Sequence, residues 1–146
     1  MSKVLRFFSL TIFYYAIILL LSSCSNGKQE TIEFESKYHY LVIPVHGCPG
    51  CIQKAKSHAE EHLYSERIKY IFTDFTTEKD VRLSIGSQLF KSDRIILDRS
   101  NQLIDDGFTS SYPTLVFTEK GKLKKIILSP DVIDDKLKKL NIIITR

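Results

Sequence analysis

The chain has 146 residues and carries 21 Lys or Arg against 17 Asp or Glu, a formal net charge of +4. This length suits one compact domain, and so small an excess of charge, spread along the chain, gives no reason to expect a nucleic-acid partner. Three cysteines are too few for a small scaffold held together by several disulfides.

The N-terminus has the pattern of a secretory signal. Lys3 and Arg6 lie before an apolar run that extends from Phe7 to Leu21, and no acidic residue occurs before Glu30. The uncharged part of this run is shorter than the ~20 residues that a membrane-spanning helix requires. Residues 1–23 therefore fit a signal peptide that is removed from the mature protein.

The end of this segment, Leu21-Ser22-Ser23-Cys24, resembles the lipobox of bacterial lipoproteins. The resemblance implies that Cys24 becomes the lipid-bearing first residue, which anchors the protein in the bacterial cell envelope. Ser25, rather than Asp, follows the cysteine, and this points to the outer membrane with the domain facing the periplasm. An ordinary cleaved signal, or an uncleaved anchor with Cys24 incidental, is the alternative.

The remaining chain divides into a short linker and one domain. Removal of residues 1–23 lowers the formal net charge from +4 to +2, because Lys3 and Arg6 are lost. After Cys24, the residues up to Lys37 are polar and lack periodicity, so residues 24–37 are predicted to be the lipid anchor and a flexible tether. Residues 38–146 are predicted to be the folded domain.

The first half of this domain alternates strands and helices. Two segments rich in aromatic and β-branched residues predict buried strands, Tyr38–Val45 and Arg67–Phe75. Between them, helical spacing over residues 51–64 predicts a helix whose inner face is Ile52, Ala55, Ala59 and Leu63. Thr77 and Asp80 have the spacing of a capping box, which predicts a second helix with an inner face of Val81, Ile85 and Leu89.

The second half predicts a hairpin and a closing helix. A short strand, Arg94–Leu97, is followed by a polar stretch, Asp98–Ser111, that gives no clear pattern. Two strand-like segments flank Gly121 and predict an antiparallel hairpin, Thr114–Thr118 with Leu123–Leu128. Ser129 and Pro130 suit the N-cap and first position of the last helix, with Ile133, Leu137 and Leu140 facing the sheet.

Cys48-Pro49-Gly50-Cys51 lies where the first strand gives way to the first helix. A thiol at a helix N-terminus has a lowered pKa, because free N–H groups and the helix dipole favour its thiolate, the species that attacks disulfides. Cys48 is therefore the predicted nucleophile. Cys51, one turn further into the helix, is the predicted resolving thiol.

These features resemble the thioredoxin-like superfamily over most of residues 38–140. The resemblance rests on the strand ending in Val45-His46-Gly47, the C-x-x-C motif, and Tyr112-Pro113-Thr114 before a strand. It implies a three-layer α/β fold with a mixed central sheet, helices on both faces, and a cis-proline at Pro113 facing the redox pair. It also implies that Tyr112, Pro113 and Thr114 contact substrate, and that an extra helix and strand precede Tyr112, as in membrane-tethered periplasmic thioredoxins.

Two departures from that family affect proton transfer. Gly47 stands where thioredoxins usually have Trp, and the strand Tyr38–Val45 lacks the buried carboxylate that many use for the resolving thiol. His46 is a candidate tuning residue that would lower the Cys48 pKa when protonated, or else an exposed turn residue.

Metal and cofactor chemistry find little support in the sequence. Zinc needs four ligands and there is no second C-x-x-C, while Ile52 replaces the His that follows the motif of c-type haem proteins. His58 and His62 share a helix face and are predicted to be solvated rather than ligands. No cofactor or metal is therefore expected.

Two functional classes remain. The first is a thiol–disulfide oxidoreductase acting on protein thiols and disulfides of the cell envelope, with a membrane or soluble redox partner. The alternative is a non-catalytic thioredoxin-like envelope module with a passive disulfide. A trans Tyr112–Pro113 bond would favour the alternative. Reductase, oxidase and isomerase differ in reduction potential, which the sequence does not give.

Overall fold

The computed structural model describes residues 31–109 and 111–145. Within these residues the strands are β1 (His39–Pro44), β2 (Ile68–Thr73), β3 (Ile95–Leu97), β4 (Thr114–Glu119) and β5 (Lys122–Ile127). The helices are α1 (Pro49–Glu61), α2 (Glu78–Phe90), α3 (Gln102–Asp105) and α4 (Ile133–Ile144).

The strands form one mixed sheet in the order β3-β2-β1-β4-β5. β1, β2 and β3 are parallel, which the crossovers through α1 and α2 make possible, whereas β4 runs antiparallel to both β1 and β5. The predicted α/β class and mixed sheet are confirmed. β1 lies at the centre, so its carboxyl end delivers the C-x-x-C motif to the middle of one sheet edge.

The two faces of the sheet are covered differently. On the first face the three longer helices pack on alternate residues of the strands, among them Leu41, Ile43 and Phe72. The second face carries Tyr40, Val42 and Val116, and its cover is thinner. It consists of Leu103 from α3, Phe108, and the chain that precedes β1.

That preceding chain corrects part of the predicted tether. Ile32 and Phe34 pack on the second face, and the Phe34 ring meets Tyr40 edge-on at 5.0 Å between centroids. The Glu35 amide also donates to the Tyr40 hydroxyl at 2.8 Å. Ordered contacts to the domain thus begin before Tyr38, because the apolar side chains of Ile32 and Phe34 pack on the sheet.

Two helices differ from expectation at one point each. α4 begins at Ile133 rather than at Pro130, because a turn precedes it. In this turn the Ser129 hydroxyl donates to the Asp131 carboxylate, and the Ser129 carbonyl accepts from the amides of Val132 and Ile133. In α2 the capping box of Thr77 and Asp80 forms as predicted. Gly86, with φ +80°, kinks that helix where only a mild weakening was expected.

The signal peptide, Cys24 and the first part of the tether lie outside the described residues. No helix in the described part of the chain is both long and apolar enough to span a membrane.

Candidate functional site

Cys48 occupies the N-cap of α1. Its φ and ψ are −66° and 104°, outside the helical region, and Pro49 follows in the first turn where its missing N–H removes no helical bond. The Cys51 amide donates to Cys48 Sγ at 3.4 Å, and the Ile52 amide donates to the Cys48 carbonyl at 3.0 Å. The first turn of the helix therefore places the Cys51 amide at the sulfur of Cys48 and the Ile52 amide at its carbonyl.

The two thiols, both free in the structure, have opposite environments. A hydrogen bond from the Cys51 side chain, then the backbone amides of Cys51 and Gly50 and the charge of Lys54, lower the pKa of Cys48. Burial raises the pKa of Cys51 to about 11, and its hydrogen bond to Cys48 adds to the shift. Cys51 is 2% exposed, whereas Cys48 is partly exposed. The pair therefore combines an accessible sulfur, Cys48, whose thiol ionises more readily, with a buried sulfur, Cys51, whose thiol ionises less readily.

A close backbone contact explains why glycine occupies position 47. Its φ is +137°, and a Cβ at this position would lie 2.3 Å from the Ser111 carbonyl oxygen. The same carbonyl accepts a hydrogen bond from the Cys48 amide at 2.8 Å. A Trp, or any other side chain, does not fit here. The departure from thioredoxins at Gly47 is therefore coupled to the position of Ser111.

Tyr112–Pro113 is a trans peptide bond, since the described residues contain no cis bond, and the predicted cis-proline is wrong. The chain bends at Ser111 and Tyr112, and the Thr109 hydroxyl donates to the Tyr112 carbonyl at 2.6 Å. The Pro113 carbonyl then accepts from the Leu128 amide at 2.8 Å and extends the β4–β5 ladder. The chain therefore enters β4 from this bend with the intrinsically preferred trans form.

The three residues predicted to contact substrate differ in exposure. Tyr112 is half-buried and packs against the same core cluster as Cys48, whereas Pro113 and Thr114 are buried. The hydrogen bond that joins this segment to the motif runs from the Cys48 amide to the carbonyl of Ser111, a residue that the sequence did not single out. Substrate contact through Tyr112, Pro113 and Thr114 stays a prediction.

His46 faces the end of β2 rather than the thiols. Its Nδ1 lies 2.7 Å from the Asp74 carbonyl oxygen and 3.5 Å from the Asp74 carboxylate. The cation that acts on Cys48 is instead Lys54, whose ammonium is held by Asp134 at 2.6 Å. Lys54 follows Cys51 by three residues, a helical spacing that could have identified it.

The two histidines of α1 are not equivalent. His58 is 4% exposed, with Nε2 2.7 Å from Asn141 Oδ1 and Nδ1 3.1 Å from the Tyr70 hydroxyl. Burial, with the nearby charge of His62, lowers the pKa of His58 to about 4. The expectation that both are solvated is wrong for His58. Among the described residues no group of three or more His, Cys, Asp or Glu could hold a metal ion.

Asp98 is the buried carboxylate that the sequence did not single out. It is 1% exposed and accepts hydrogen bonds from the Thr73 hydroxyl at 2.9 Å and from the Gln102 and Leu103 amides at 3.0 and 2.9 Å. It therefore joins the carboxyl ends of β2 and β3 to the start of α3. Its position directly after a strand and four residues before a helix is the signal that could have found it.

Several solved structures are similar to the chain, and one of them is a lipoprotein. The crystal structure of the pneumococcal exposed lipoprotein thioredoxin from Streptococcus pneumoniae strain TIGR4 is 18% identical, with a TM-score of 0.43. The match covers 71% of this chain and 86% of that one. No protein-family model and no curated protein sequence matches the chain.

Proposed function

We propose that the protein is a thiol–disulfide oxidoreductase that acts on exported proteins through Cys48 and Cys51. The observation that carries the proposal is the asymmetry of the pair. A partly exposed sulfur with a lowered pKa sits at a helix N-cap, next to a buried sulfur with a raised one. A purely structural disulfide needs no such difference, and a loop this short stabilises a fold little.

The proposed reaction is a two-step exchange. The Cys48 thiolate attacks one sulfur of a substrate disulfide, which releases the other sulfur as a thiolate and leaves a mixed disulfide. Cys51 then loses its proton and attacks Cys48 Sγ, so the substrate leaves with two thiols and the protein keeps a disulfide. The reverse sequence oxidises a substrate, and the reduction potential of the pair sets the direction.

The envelope location is part of the proposal and rests on Leu21-Ser22-Ser23-Cys24. An acylated Cys24 would anchor the domain to a membrane, and Ser25 after it favours the outer membrane, where the domain would face periplasmic proteins whose disulfides persist. Intact mass spectrometry of the mature protein tests this directly. A retained Met1 or an unmodified Cys24 would rule the lipid anchor out.

The second candidate, a binding module with a passive disulfide, gains from the trans Tyr112–Pro113 bond. That bond removes the substrate-facing cis-proline on which part of the catalytic prediction depended. The two candidates differ in whether Cys48 exchanges with a foreign disulfide at all.

Reduction of insulin disulfides by the full chain with a thiol reductant separates the candidates. We expect turnover by the wild type and none by Cys48→Ser, and we expect pre-reduced Cys51→Ser to form a stable mixed disulfide with insulin once the reductant is removed. Cys24→Ala is the matched control, since it removes a cysteine outside the pair. A wild type no faster than Cys48→Ser would favour the passive module.

A further inference from the structure

A groove of about 380 Å³ opens beside the redox motif, and its lining residues all lie between Val45 and Lys56. Val45, Pro49 and Ile52 give it apolar walls, while Gln53 and Lys56 bring polar groups to it. The groove is formed by the β1–α1 loop and one side of α1. No residue of the Ser111–Thr114 segment lines it.

Cys48, Ile52 and Lys56 follow one another at intervals of four residues, so they lie along one side of α1. Eight residues of helix span ~12 Å at 1.5 Å per residue. An extended peptide advances ~3.3 Å per residue, so the same distance corresponds to three or four residues of bound peptide. Gly47 and Pro49, on either side of Cys48, line the groove together with Lys56, so it runs from beside the nucleophile to Lys56.

Lys56 is a cation without a carboxylate at close range. Its ammonium donates to the Ser84 hydroxyl, which joins α1 to α2, and no described carboxylate lies within 4.0 Å of it. Burial lowers the pKa of Lys56, and the more distant Glu60 partly offsets this. By contrast, Lys54 is paired with Asp134 and the carboxylate nearest His46 is that of Asp74.

We propose that this groove binds the extended segment of a substrate protein that flanks its reactive cysteine, with Lys56 selecting a carboxylate three or four residues away. Val45 and Pro49 contact the apolar side chains between them, beside the buried Ile52. A carboxylate at that position supplies the partner that the half-buried ammonium lacks, and a charge-assisted hydrogen bond forms there. This inference rests on the proposed function, since it names the class of substrate for the same cysteine.

The test uses the full chain and short peptides whose single cysteine carries a thionitrobenzoate group in disulfide linkage. Attack by Cys48 forms the protein–peptide disulfide and releases the coloured thionitrobenzoate thiolate, so the rate is read without an added oxidant. Three peptides carry Glu, Gln or Lys at the third and fourth residues on both sides of the cysteine. We expect the Glu peptide to react about three- to tenfold faster than the Gln peptide at low salt, and the Lys peptide slowest.

Lys56→Gln should bring the Glu-to-Gln rate ratio close to one, whereas Lys54→Gln removes an equal charge near the same thiols and should keep the ratio. Ser84→Ala, which frees the ammonium without removing it, should also keep the ratio and shows whether the α1–α2 bond alone matters. High salt should reduce the wild-type ratio. A ratio that Lys56→Gln leaves unchanged, with the peptides still reacting, overturns the groove inference and leaves the proposed function standing.

Failure of the proposed function has a different appearance. If Cys48 reacts with none of the peptides, exchange chemistry is excluded, and binding of fluorescein-labelled peptides with Ser in place of Cys tests the groove alone. A tighter Glu than Gln peptide, with the difference lost in Lys56→Gln, supports the groove without the chemistry. Equal affinities for the two peptides overturn it.

Discussion

Two segments of very different origin meet at Cys48. The β1–α1 unit, residues 39–61, is governed by neighbours in the sequence: a buried strand, then an N-cap thiol followed by Pro49. The segment from Asp98 to Pro113 lacks such a pattern and is fixed by contacts with distant residues, such as Asp98 with Thr73 and Ser111 with Cys48. Interactions between sequence neighbours therefore position the nucleophile, while contacts with distant residues position the segment that packs beside it.

Gly47→Ala should break the junction between the two segments and have the largest effect. A Cβ would lie 2.3 Å from the Ser111 carbonyl oxygen, at a φ of +137° that only glycine adopts readily. Backbone strain and overpacking together predict a loss of ~4 kcal/mol in the free energy of unfolding. Urea denaturation of the full chain measures it.

Gly50→Ala is the control for that change, because a Cβ there meets no atom within 4 Å. Its free energy of unfolding should stay within ~1 kcal/mol of wild type. Equal losses in the two variants would mean that the contact between Gly47 and Ser111 does not constrain the junction.

His58 shows that α1 too depends on distant residues. The pKa of His58 falls from 6.5 to about 4 on folding, so the unfolded chain takes up the proton first as pH falls. The stability from this group is complete above pH 6.5 and is lost as pH falls through 4. The full loss is ~3 kcal/mol at about 1.4 kcal/mol per pH unit.

Comparison of wild type with His58→Gln isolates this contribution from that of the carboxylates. Urea unfolding at pH 7 and pH 4 should show a smaller decrease for the variant, which is less stable at pH 7 because its contacts with Tyr70 and Asn141 change. His62→Gln removes only the second cause of the shift and leaves the burial of His58 intact, so it should keep most of the wild-type dependence. If His58→Gln loses as much stability between pH 7 and pH 4 as the wild type does, the burial of a neutral imidazole is contradicted.

Asp98→Ala tests the support of the second segment itself. The Thr73 hydroxyl and the amides of Gln102 and Leu103 would lose their acceptor inside the protein. Orphaned donors of this kind predict a loss of ~2 kcal/mol in the free energy of unfolding, measured by urea denaturation. Asp93→Ala, at a side chain that is 87% exposed, should change it by less than ~0.5 kcal/mol. A loss for Asp98→Ala no larger than that control would contradict the role of the carboxylate.

The sequence predicted the order of the five strands and the three longer helices, the capping box and the place of Cys48 at the start of α1, because each depends on residues a few positions apart. It did not predict the trans bond before Pro113, since a bend at Ser111 and Tyr112 had to be known first. The burial of His58 likewise depends on Asn141, which is 83 residues away. Residues 31–37 were read as a tether because two apolar side chains among polar ones give no periodic signal.

The smallest effect is expected from Lys54→Gln, which separates the local origin of thiolate stabilisation from its long-range part. Hydrogen bonds from Cys51 and Gly50 precede the charge of Lys54 among the causes that lower the pKa of Cys48. Removing the charge should therefore raise the pKa of Cys48 only slightly and slow its alkylation by iodoacetamide near neutral pH about twofold. Peptide mapping should still find Cys48 labelled before Cys51 in both proteins, because Cys51 stays buried.

Asp134→Asn frees Lys54 without removing it and should leave the rate close to that of wild type. A much larger decrease in Lys54→Gln would show that this surface ammonium, rather than the amides of the α1 N-terminus, makes Cys48 reactive. Preferential labelling of Cys51 would reverse the assignment of nucleophile and resolving thiol.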